Sequence, residues 1–371
     1  MSELAASRVR PELLVERLDV VACTIPTDAP ESDGTIEWDT TTIVIVEARG
    51  GDEIGVGYTY ADASAASLVT ERLAPLVAGM DATAVPRAWQ AMVEAVRNIG
   101  RAGIASTAIS AVDSALWDLK ARLLGVPLVT LLGAVRESVE LYGSGGFTSY
   151  SDEQLERQLG GWADDGFRSV KMKVGREPAR DPKRVAVARG AIGEAALMID
   201  ANGAFDRKQA LALIEAVAEH GVVWFEEPVS SDDLDGLRLL RDRAPVSIEI
   251  AAGEYGYDLP YFRRMLEAGA VDVLQADATR CAGITGFLRV GALCEAFGIP
   301  LSAHTSPALH LHPCCAAGGL RDLEYFHDHA RIERMLFDGI VEPVAGILTP
   351  DLGRPGNGLE LKPTEAALYA A

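Results

Sequence analysis

The sequence predicts an α/β protein in which an N-terminal α+β unit precedes a barrel of parallel strands. From Glu140 onward, short β-branched runs alternate with amphipathic helical segments, which is the pattern of consecutive βαβ units. A polar residue lies at or just after each run, at a nearly constant interval, as expected for successive turns around one barrel. The first third differs from the rest, because its β-rich runs come first and its helices follow.

Composition excludes several classes of protein. The 371 residues contain 34 Lys and Arg against 54 Asp and Glu, so the formal charge is −20. The acidity is spread along the chain without a basic block, which argues against nucleic acid and anionic membrane surfaces as partners. An apolar fraction of 49% is sufficient for a large core and excludes disorder as the main state.

The chain shows no sign of membrane insertion or export. No uninterrupted apolar run approaches the ~20 residues that a membrane span needs. Charged residues are interleaved through residues 1–20, which argues against a secretory signal peptide. The five cysteines are odd in number and unevenly placed, as is typical of reduced thiols. We therefore expect a soluble cytoplasmic protein.

The first third of the chain predicts two or three strands followed by helices. Residues 14–60 contain alternating or β-branched runs, interrupted by a polar stretch from Pro26 to Gly34 that we interpret as a mobile loop. A helical period begins at Ile104 and ends near Leu123, where Gly125 and Pro127 stop the helix. Together these segments predict an α+β unit of about 130 residues.

The spacing of polar residues supports the barrel. Successive markers are separated by 27, 26, 28, 23, 27 and 20 residues, which is close to one βαβ period. Such residues meet at the C-terminal mouth of a barrel, where barrel enzymes build their sites. The markers are Lys173, Asp200, Glu226, Glu254, Asp277, His304 and Glu324.

Three of these markers are acids on consecutive strand ends, namely Asp200, Glu226 and Glu254. In a partly buried mouth their carboxylates would repel one another unless a cation neutralised them. An all-oxygen donor set favours Mg²⁺ over zinc, so we predict a magnesium site. The alternative is that they are unrelated surface acids beside loops.

Lysine is rare, with six in the chain, and two of them flank one residue in Lys171-Met-Lys173. Residues i and i+2 of a strand point the same way, so both ammonium groups enter the barrel together. Two adjacent ammonium groups lower each other's pKa, and we expect one lysine to be able to act as a base. The alternative is a solvated pair at a strand end.

Asp277 and His304 lie one period apart, so the carboxylate can accept a hydrogen bond from the imidazole and fix its tautomer. Glu324 is either a protonated acid that donates to a substrate oxygen or a salt-bridge partner. A metal and an acid that hold a carboxylate, with lysine on one face and histidine on the other, indicate proton abstraction α to that carboxylate.

These residues, taken together, resemble the enolase superfamily in its mandelate racemase subgroup. The resemblance covers nearly the whole chain, and it is the order and spacing of its motifs that make it specific. The motifs are Ile109-Ser-Ala-Val-Asp-Ser-Ala-Leu-Trp-Asp-Leu-Lys, Lys171-Met-Lys, Asp200-Ala-Asn-Gly, Glu226-Glu-Pro, Gly253-Glu, Gln275-Ala-Asp, Ser302-Ala-His and Leu323-Glu.

The resemblance implies a modified TIM barrel, (β/α)7β, over residues 134–345, with an α+β capping domain at 1–133 that the tail 346–371 completes. It implies Mg²⁺ as cofactor and a homo-oligomer, either a dimer or an octamer. The implied metal ligands are Asp200, Glu226 and Glu254. The implied catalytic residues are Lys173 as base, Lys171 as its tuner and substrate contact, His304 with Asp277 as the opposite acid/base dyad, and Glu324 as hydrogen-bond donor.

Two features refine the resemblance. The muconate-lactonizing subgroup places a second lysine after the sixth barrel strand, whereas this chain has none between Lys208 and Lys362. The segment Arg280-Cys-Ala-Gly283 stands where relatives often show paired glycines, a departure that bears on the local loop shape and not on the chemistry.

Members with both lysines and the dyad include racemases and acid-sugar dehydratases. Specificity in the family comes from two capping loops, here Pro26 to Trp38 and Gly57 to Tyr60, whose polar side chains suit a polyhydroxylated acid. We therefore expect dehydration of an aldonate or aldarate to a 2-keto-3-deoxy acid. The alternative is a racemase or epimerase of a 2-hydroxy acid.

Two further interpretations compete with this one. His327-Asp-His329 and the run from His310 to Cys315 could indicate a zinc barrel of the amidohydrolase type, although such ligand pairs belong after the first strand of that barrel and these lie near the last. A barrel that has lost its activity and serves as a binding module is the non-enzymatic alternative.

Overall fold

A computed structural model describes residues 13–371. Residues 1–12, which begin the predicted capping domain and carry part of the charged N-terminal segment, lie outside the described residues. The described chain begins with three strands that form one antiparallel sheet in the order of the sequence. They are β1 (Arg17–Ser32), β2 (Glu37–Gly50) and β3 (Glu53–Tyr60). The predicted β-rich start is therefore confirmed.

The stretch interpreted as a mobile loop is instead mostly part of β1, and that prediction is wrong. β1 pairs with β2 as far as Pro26 opposite Thr40, and pairing resumes at Glu31 opposite Trp38 after a register shift. We call residues 26–38, with the bulge between these two pairs, the cap lobe. The barrel fixes the cap lobe, because the Ser32 carbonyl oxygen accepts a hydrogen bond from the Thr148 amide at 2.8 Å.

Helices follow the sheet, and the longest one packs directly on it. A Cβ added to Gly55 would lie 2.2 Å from the Leu119 amide nitrogen, so only glycine allows this close approach. The longest helix ends at Leu123, and Gly125 follows with φ of 66°, as predicted. The elements are α1 (Ser64–Leu68), a π-helical turn (Val69–Leu73), α2 (Ala74–Val77), α3 (Val85–Ala95), α4 (Ile104–Leu123) and α5 (Leu128–Leu132).

Within the described chain, eight parallel strands then form a closed barrel, because the last of them pairs with the first. This architecture, with the antiparallel strands before it, confirms the predicted fold class. The barrel strands are β4 (Val139–Gly145), β5 (Ser169–Lys173), β6 (Ala196–Asp200), β7 (Val222–Glu226), β8 (Glu249–Ala252), β9 (Val273–Ala276), β10 (Leu301–Ala303) and β11 (Leu320–Phe326).

A helix follows each barrel strand, and two of these helices begin with a capping box. Capping boxes at Ser151 with Gln154 and at Asp206 with Gln209 start α6 and α8. The helices are α6 (Asp152–Asp164), α7 (Asp181–Ala191), α8 (Arg207–Val217) with a short 3₁₀ turn (Ala218–His220), α9 (Leu234–Arg243), α10 (Leu259–Glu267), α11 (Gly283–Phe297), α12 (Pro307–Ala316) and α13 (His327–Leu336).

Three strands begin later than their apolar runs suggest. The run from Val246 to Ile250 predicts a strand, but the amide of Ile248 donates to the carbonyl of Pro245 and closes a turn, so β8 begins at Glu249. β9 and β10 likewise begin two residues after the runs that start at Val271 and Ile299. Pairing with neighbouring strands sets these starts.

The C-terminal residues contact both the antiparallel sheet and the barrel. The Ala371 amide donates to the carbonyl of Ala22 in β1, and the Cys23 thiol donates to the carbonyl of Ala366. The predicted boundaries at 133/134 and 345/346 remain predictions. The last elements are β12 (Phe337–Asp338), β13 (Ile347–Leu348), which pairs with β4, β14 (Glu360–Leu361), which pairs with β12, and α14 (Pro363–Tyr369).

Two observations concern membrane-spanning helices and cysteines. No helix formed by residues 13–371 combines the length and the apolar character that crossing a lipid bilayer requires. All five cysteines are free and buried.

Asp118 joins three segments of the chain at one buried carboxylate. Its Oδ2 accepts hydrogen bonds from the Val56 amide at 2.7 Å and from Arg122 Nε at 2.8 Å, and its Oδ1 accepts from the Asn357 amide at 2.6 Å. The carboxylate therefore links β3, α4 and the C-terminal tail in a site that excludes water.

We predict that Asp118→Ala lowers the free energy of unfolding by about 3–5 kcal/mol, because it leaves a buried guanidinium and two buried amides without their acceptor. Urea unfolding followed by circular dichroism measures the change. Asp242→Ala is the matched control, since it removes an exposed i,i+4 partner of Arg238 and should cost less than about 1 kcal/mol. Equal losses in both variants would contradict the linking role of Asp118.

Candidate active site

The C-terminal ends of the barrel strands bring all eight sequence-predicted site residues together. Strand register explains part of this, because Lys173 pairs with Asp200 across β5 and β6, and Asp200 pairs with Glu226 across β6 and β7. Every one of the eight is buried, with at most 6% of its surface exposed. They are Lys171, Lys173, Asp200, Glu226, Glu254, Asp277, His304 and Glu324.

Asp200, Glu226 and Glu254 form a cluster whose carboxylate oxygens lie within 4.8 Å of one another. Burial, together with the charge of Asp200, raises the pKa of Glu226 to about 8. Glu254 Oε2 is buried, and His304 Nε2 lies 3.0 Å from it. Three buried carboxylates that each offer an oxygen to one point fit a hard divalent cation such as Mg²⁺.

Lys171 is the counterion at the centre of the barrel. Its Nζ lies 2.6 Å from Glu226 Oε2 and 2.9 Å from Glu324 Oε1, and it faces the Tyr142 ring at 5.2 Å. Burial disfavours the ammonium, but the two carboxylates outweigh this effect and raise its pKa well above the ordinary value. Lys171 is therefore charged and held in place.

Lys173 has the opposite pKa shift from the one that the sequence suggested. Its Nζ lies 2.5 Å from Asp200 Oδ2 and 3.0 Å from Asn202 Oδ1. Burial lowers its pKa and so does the charge of Lys171, but Asp200 outweighs both and the net pKa is raised. The expected lowering is wrong because it considered the lysine neighbour and not the carboxylate across the strand pair.

His304 and Asp277 form the predicted pair. His304 Nδ1 lies 2.9 Å from Asp277 Oδ2, and Asp277 Oδ1 accepts the amide of Thr279 at 2.6 Å. His304 Nε2 faces the cluster, 3.0 Å from Glu254 Oε2. Burial opposes the imidazolium, but Glu254 and Glu324 outweigh it and raise the pKa of His304 to about 9. The ring is therefore oriented by Asp277 and protonated near neutral pH.

Glu324 is an ion-pair partner in this structure, which corrects the role of protonated donor. Besides its contact with Lys171, Glu324 Oε2 accepts a hydrogen bond from the Thr305 amide at 3.2 Å. Burial raises its pKa, but the charges of Lys171 and His304 outweigh this and lower it to about 2. Of the two interpretations left open by the sequence, the structure favours the salt bridge.

Several residues that the sequence did not single out also belong to the site. Trp224 Nε1 donates to Glu226 Oε2 at 3.0 Å, and the Asn202 amide donates to Asp200 Oδ1 at 2.8 Å. Arg280 Nη1 lies 3.5 Å from Glu254 Oε1. Asn202 stands in the quoted Asp-Ala-Asn-Gly motif and Arg280 in the departure from paired glycines, but no signal in the sequence points to Trp224.

The backbone leaves the strand ends in a strained conformation at three places. Asn202, Glu227 and Thr305 have φ of 48°, 37° and 53°, in the left-handed region that non-glycine residues rarely adopt. They follow β6, β7 and β10, which carry the site. Such strain clusters at functional sites, where the surrounding structure holds it in place.

A cavity of about 380 Å³ opens above these side chains, between the barrel and the cap. The barrel contributes Lys173, His304 and Glu324 among others. The cap contributes Asp33, Ile36, Trp38, Thr40, Thr41, Thr42, Tyr60, Ala61 and Asp62. The site therefore has a charged floor and a roof that mixes polar, aromatic and small apolar side chains.

The two loops that the sequence assigned to specificity contribute only in part. Asp33 and Trp38 from the first and Tyr60 from the second line the cavity. Tyr58 is buried instead, and its hydroxyl donates to Glu333 Oε1 at 2.5 Å. Thr59 Oγ1 donates to the carbonyl of Thr279 at 2.7 Å. Tyr58 shares the face of β3 that carries Tyr60, but it is buried against Glu333 and does not reach the cavity. The threonines of β2 supply polarity in its place.

The histidines considered for a zinc barrel have structural partners. The Ala278 amide donates to His310 Nε2 at 2.8 Å, and the Val129 amide donates to His312 Nδ1 at 3.1 Å. His329 is buried and stacks on the Tyr60 ring with centroids 3.4 Å apart. His327 alone of these lies partly exposed at the start of α13.

Comparison with known proteins agrees with this geometry. The family model "Mandelate racemase / muconate lactonizing enzyme, N-terminal domain" matches residues 20–133, and "Enolase C-terminal domain-like" matches residues 154–366. A crystal structure of a mandelate racemase/muconate lactonizing enzyme-like protein from Rubrobacter xylanophilus has 57% identity and a TM-score of 0.95, covering 96% of this chain and 100% of that one.

Two relatives have named activities. L-talarate/galactarate dehydratase from Salmonella typhimurium is 33% identical over 73% of this chain and 69% of its own length. Its structure liganded with Mg and L-lyxarohydroxamate has 28% identity and a TM-score of 0.89, covering 100% of this chain and 96% of that one. A 3,6-anhydro-alpha-L-galactonate cycloisomerase from Streptomyces coelicolor is 31% identical over 94% of this chain and 97% of its own length.

The matched domains cover the cap and most of the barrel, and the three-carboxylate cluster fits the metal found in a structural relative. These findings exclude the zinc amidohydrolase interpretation. The chain is an enzyme that belongs to the mandelate racemase/muconate lactonizing enzyme family of the enolase superfamily.

Proposed function

We propose that this enzyme dehydrates an acid sugar to a 2-keto-3-deoxy acid. The observation that carries the proposal is the placement of Lys173 and His304 in one cavity, on either side of the three-carboxylate cluster. In a β-elimination a base removes the proton from one carbon and an acid protonates the group that leaves the next carbon. An acid and a base on separate strands can perform these two proton transfers. The dehydratase among the relatives supports the same reaction class.

The proposed reaction removes the α-hydrogen as a proton and the 3-hydroxyl group as water. Lys173 accepts the proton from C2 once Asp200 is no longer its counterion. His304, which Asp277 orients, donates its Nε2 proton to the departing 3-hydroxyl. The resulting enol then becomes the 2-keto-3-deoxy acid by taking a proton at C3 and losing the proton of its 2-hydroxyl group. The assignment of Lys173 and not His304 as the α-proton acceptor is part of the proposal.

Asp200, Glu226 and Glu254 would hold Mg²⁺, and Lys171 would contact the substrate carboxylate. Bound Mg²⁺ supplies positive charge that stabilises an enolate beside a carboxylate. Trp224 and Asn202 orient Glu226 and Asp200 through the hydrogen bonds described above. Glu324, on β11, would hold Lys171 through their ion pair and would also contact the substrate.

The distribution of charge around the cavity favours a monocarboxylic substrate. Lys173 and Arg280 belong to the barrel floor, whereas the carboxylates of Asp33 and Asp62 belong to the cap. A sugar acid whose carboxylate lies on the floor would place its far end beside threonines and these acids. Hydroxyl groups can be hydrogen-bonded there, but a second carboxylate would be repelled. An aldonate therefore fits better than an aldarate.

A second candidate is cycloisomerisation of an anhydro or lactone form of a sugar acid. The cycloisomerase relative aligns over 94% of this chain, a larger share than the dehydratase does. The same proton abstraction would then expel a ring oxygen, which stays attached to the product. Racemisation or epimerisation of a 2-hydroxy acid remains the other alternative, since Lys173 and His304 could act on opposite faces of one carbon.

A screen of aldonic, aldaric and anhydro sugar acids with Mg²⁺ in deuterated water separates these reactions. A 2-keto acid formed with release of water indicates dehydration, and one formed without it indicates ring opening. Deuterium at the α-carbon without keto product indicates a racemase or epimerase. Neither product nor exchange with any compound would support the binding-module alternative.

We predict that Lys173→Ala and His304→Asn each lower kcat by at least about 10²–10⁴-fold, because each removes a proton-transfer group. Lys183→Ala is the matched control, since Lys183 forms an exposed pair with Asp152. Steady-state assays on the substrate found by the screen measure the effect, and circular dichroism checks that the variants fold. Full activity in either site variant would refute the role assigned to it.

We predict that Glu226→Gln weakens Mg²⁺ binding by at least about tenfold, because it replaces a carboxylate that a bound cation would keep ionised with a neutral amide. Isothermal titration calorimetry measures the affinity. Glu249→Gln is the control, since Glu249 begins β8 and its side chain contacts Arg321 away from the cluster. Unchanged affinity in Glu226→Gln would remove Glu226 from the ligand set.

We predict that kcat/KM is at least about tenfold higher for the best aldonate than for the aldarate of the same stereochemistry, because of like-charge repulsion at the cap. Asp62→Asn should narrow this ratio by improving the aldarate. Kinetics on matched pairs of acids measure it. A preference for the aldarate that Asp62→Asn leaves unchanged would contradict the charge argument.

The cytoplasmic location and the dimeric or octameric assembly expected from the sequence stay predictions.

A further inference from the structure

A second cluster of possible metal ligands lies where the cap lobe meets the barrel. Asp28 is in the bulge of β1, between the two pairs that flank the register shift, and His327 is the first residue of α13. His327 Nε2 lies 3.0 Å from Asp28 Oδ2 and 3.2 Å from Asp28 Oδ1. One oxygen of Glu31 completes the group, and the three donor atoms lie within 4.8 Å of one another.

Glu31 supplies an independent indication of a ligand. Its side chain is fully buried, and only one of its oxygens has a partner, because Oε2 accepts a hydrogen bond from Trp38 Nε1 at 2.9 Å. Glu31 Oε1 is buried without any hydrogen-bond partner. Buried polar atoms in native proteins nearly always have a partner, so an orphaned carboxylate oxygen beside an aspartate and a histidine indicates a missing cation.

The donor types identify the class of ion. One imidazole nitrogen and two carboxylates suit zinc and similar first-row ions, whereas Mg²⁺ prefers an all-oxygen shell. Zinc bonds of about 2.0–2.2 Å place tetrahedral donors roughly 3.3–3.5 Å apart. The Asp28 and His327 atoms, 3.0–3.2 Å apart, would move apart by a few tenths of an ångström, and the Glu31 oxygen, which lies within 4.8 Å of both, would move closer. Three protein ligands leave a fourth position for water.

Charge and access at this position are compatible with a cation. The guanidinium of Arg331 hydrogen-bonds Asp328 Oδ1 at 2.5 Å and the carbonyl of Pro26 at 2.7 Å. Asp28 and His327 border a cleft of about 710 Å³ that opens to solvent. An ion can therefore reach the cluster without passing through the active-site cavity.

We propose that Asp28, Glu31 and His327 bind a zinc-class transition-metal ion, separate from the magnesium site, that fastens the cap lobe to the barrel. An ion at this position would lie next to residues that line the active-site cavity. Trp38, which bonds Glu31, lines the active-site cavity, as does Phe326, which immediately precedes His327. Binding would therefore fix the cavity wall formed by the cap lobe.

The test is a Zn²⁺ titration of the full chain in saturating Mg²⁺, followed by calorimetry and by the shift in Tm. Saturating Mg²⁺ suppresses zinc at the three-carboxylate cluster, so the remaining signal belongs to another site. We expect about one equivalent of Mg²⁺-resistant Zn²⁺ and a higher Tm. His327→Ala should weaken this binding at least about tenfold and remove the Tm shift.

Matched variants make the test independent of folding defects. Asp28→Asn changes a half-exposed side chain, so this variant should fold. Glu31→Gln keeps an oxygen that can accept the hydrogen bond from Trp38, so it should fold as well. Both variants should bind zinc more weakly than the wild type. His220→Ala removes a histidine outside both carboxylate clusters and should bind zinc like the wild type. Absence of Mg²⁺-resistant zinc from the wild type would overturn the proposal, and so would equal affinity in Asp28→Asn, Glu31→Gln and the wild type.

Discussion

Mutual repulsion among Asp200, Glu226 and Glu254 is the constraint on which the rest of the site depends. Three carboxylates with oxygens within 4.8 Å cannot all be ionised in a buried place without positive charge around them. The barrel supplies that charge from two sides, since Lys171 and Lys173 come from β5 and the His304 imidazolium follows β10. Lys173 and His304, the groups proposed to transfer protons, thus also offset the repulsion among the three carboxylates. The stability of the site and its chemistry therefore depend on the same side chains.

This coupling explains why the lysines have raised and not lowered pKa values. Lys173 is close to another ammonium, but Asp200 Oδ2 at 2.5 Å is the stronger influence. In the arrangement described here Lys173 is a counterion of Asp200. In the proposed mechanism it becomes a base only when Asp200 is neutralised by something else. A cation held by the three carboxylates meets that condition, so metal binding and activation of the base are two consequences of one redistribution of charge.

Much of the barrel could be predicted from the sequence, because parallel strands place polar residues at one mouth and repeat at a fixed spacing. The end of α4 at Gly125 and the capping boxes are local signals of the same kind. Properties that depend on neighbours across the barrel could not be predicted. The ion pair of Glu324 with Lys171 joins strands 150 residues apart in sequence, and the register shift in β1 depends on contacts with the barrel that no local pattern encodes.

The cap illustrates how far specificity depends on the barrel beneath it. Tyr58 bonds Glu333 and Thr41 bonds Asp328, both at 2.5 Å, so α13 holds β2 and β3 in place over the cavity. Thr41 itself lines that cavity. A cap transplanted from a relative would therefore need compatible acids on α13, because the threonine wall is positioned by those carboxylates as much as by its own sheet. The wall of the cavity is thus positioned jointly by β2 and by α13.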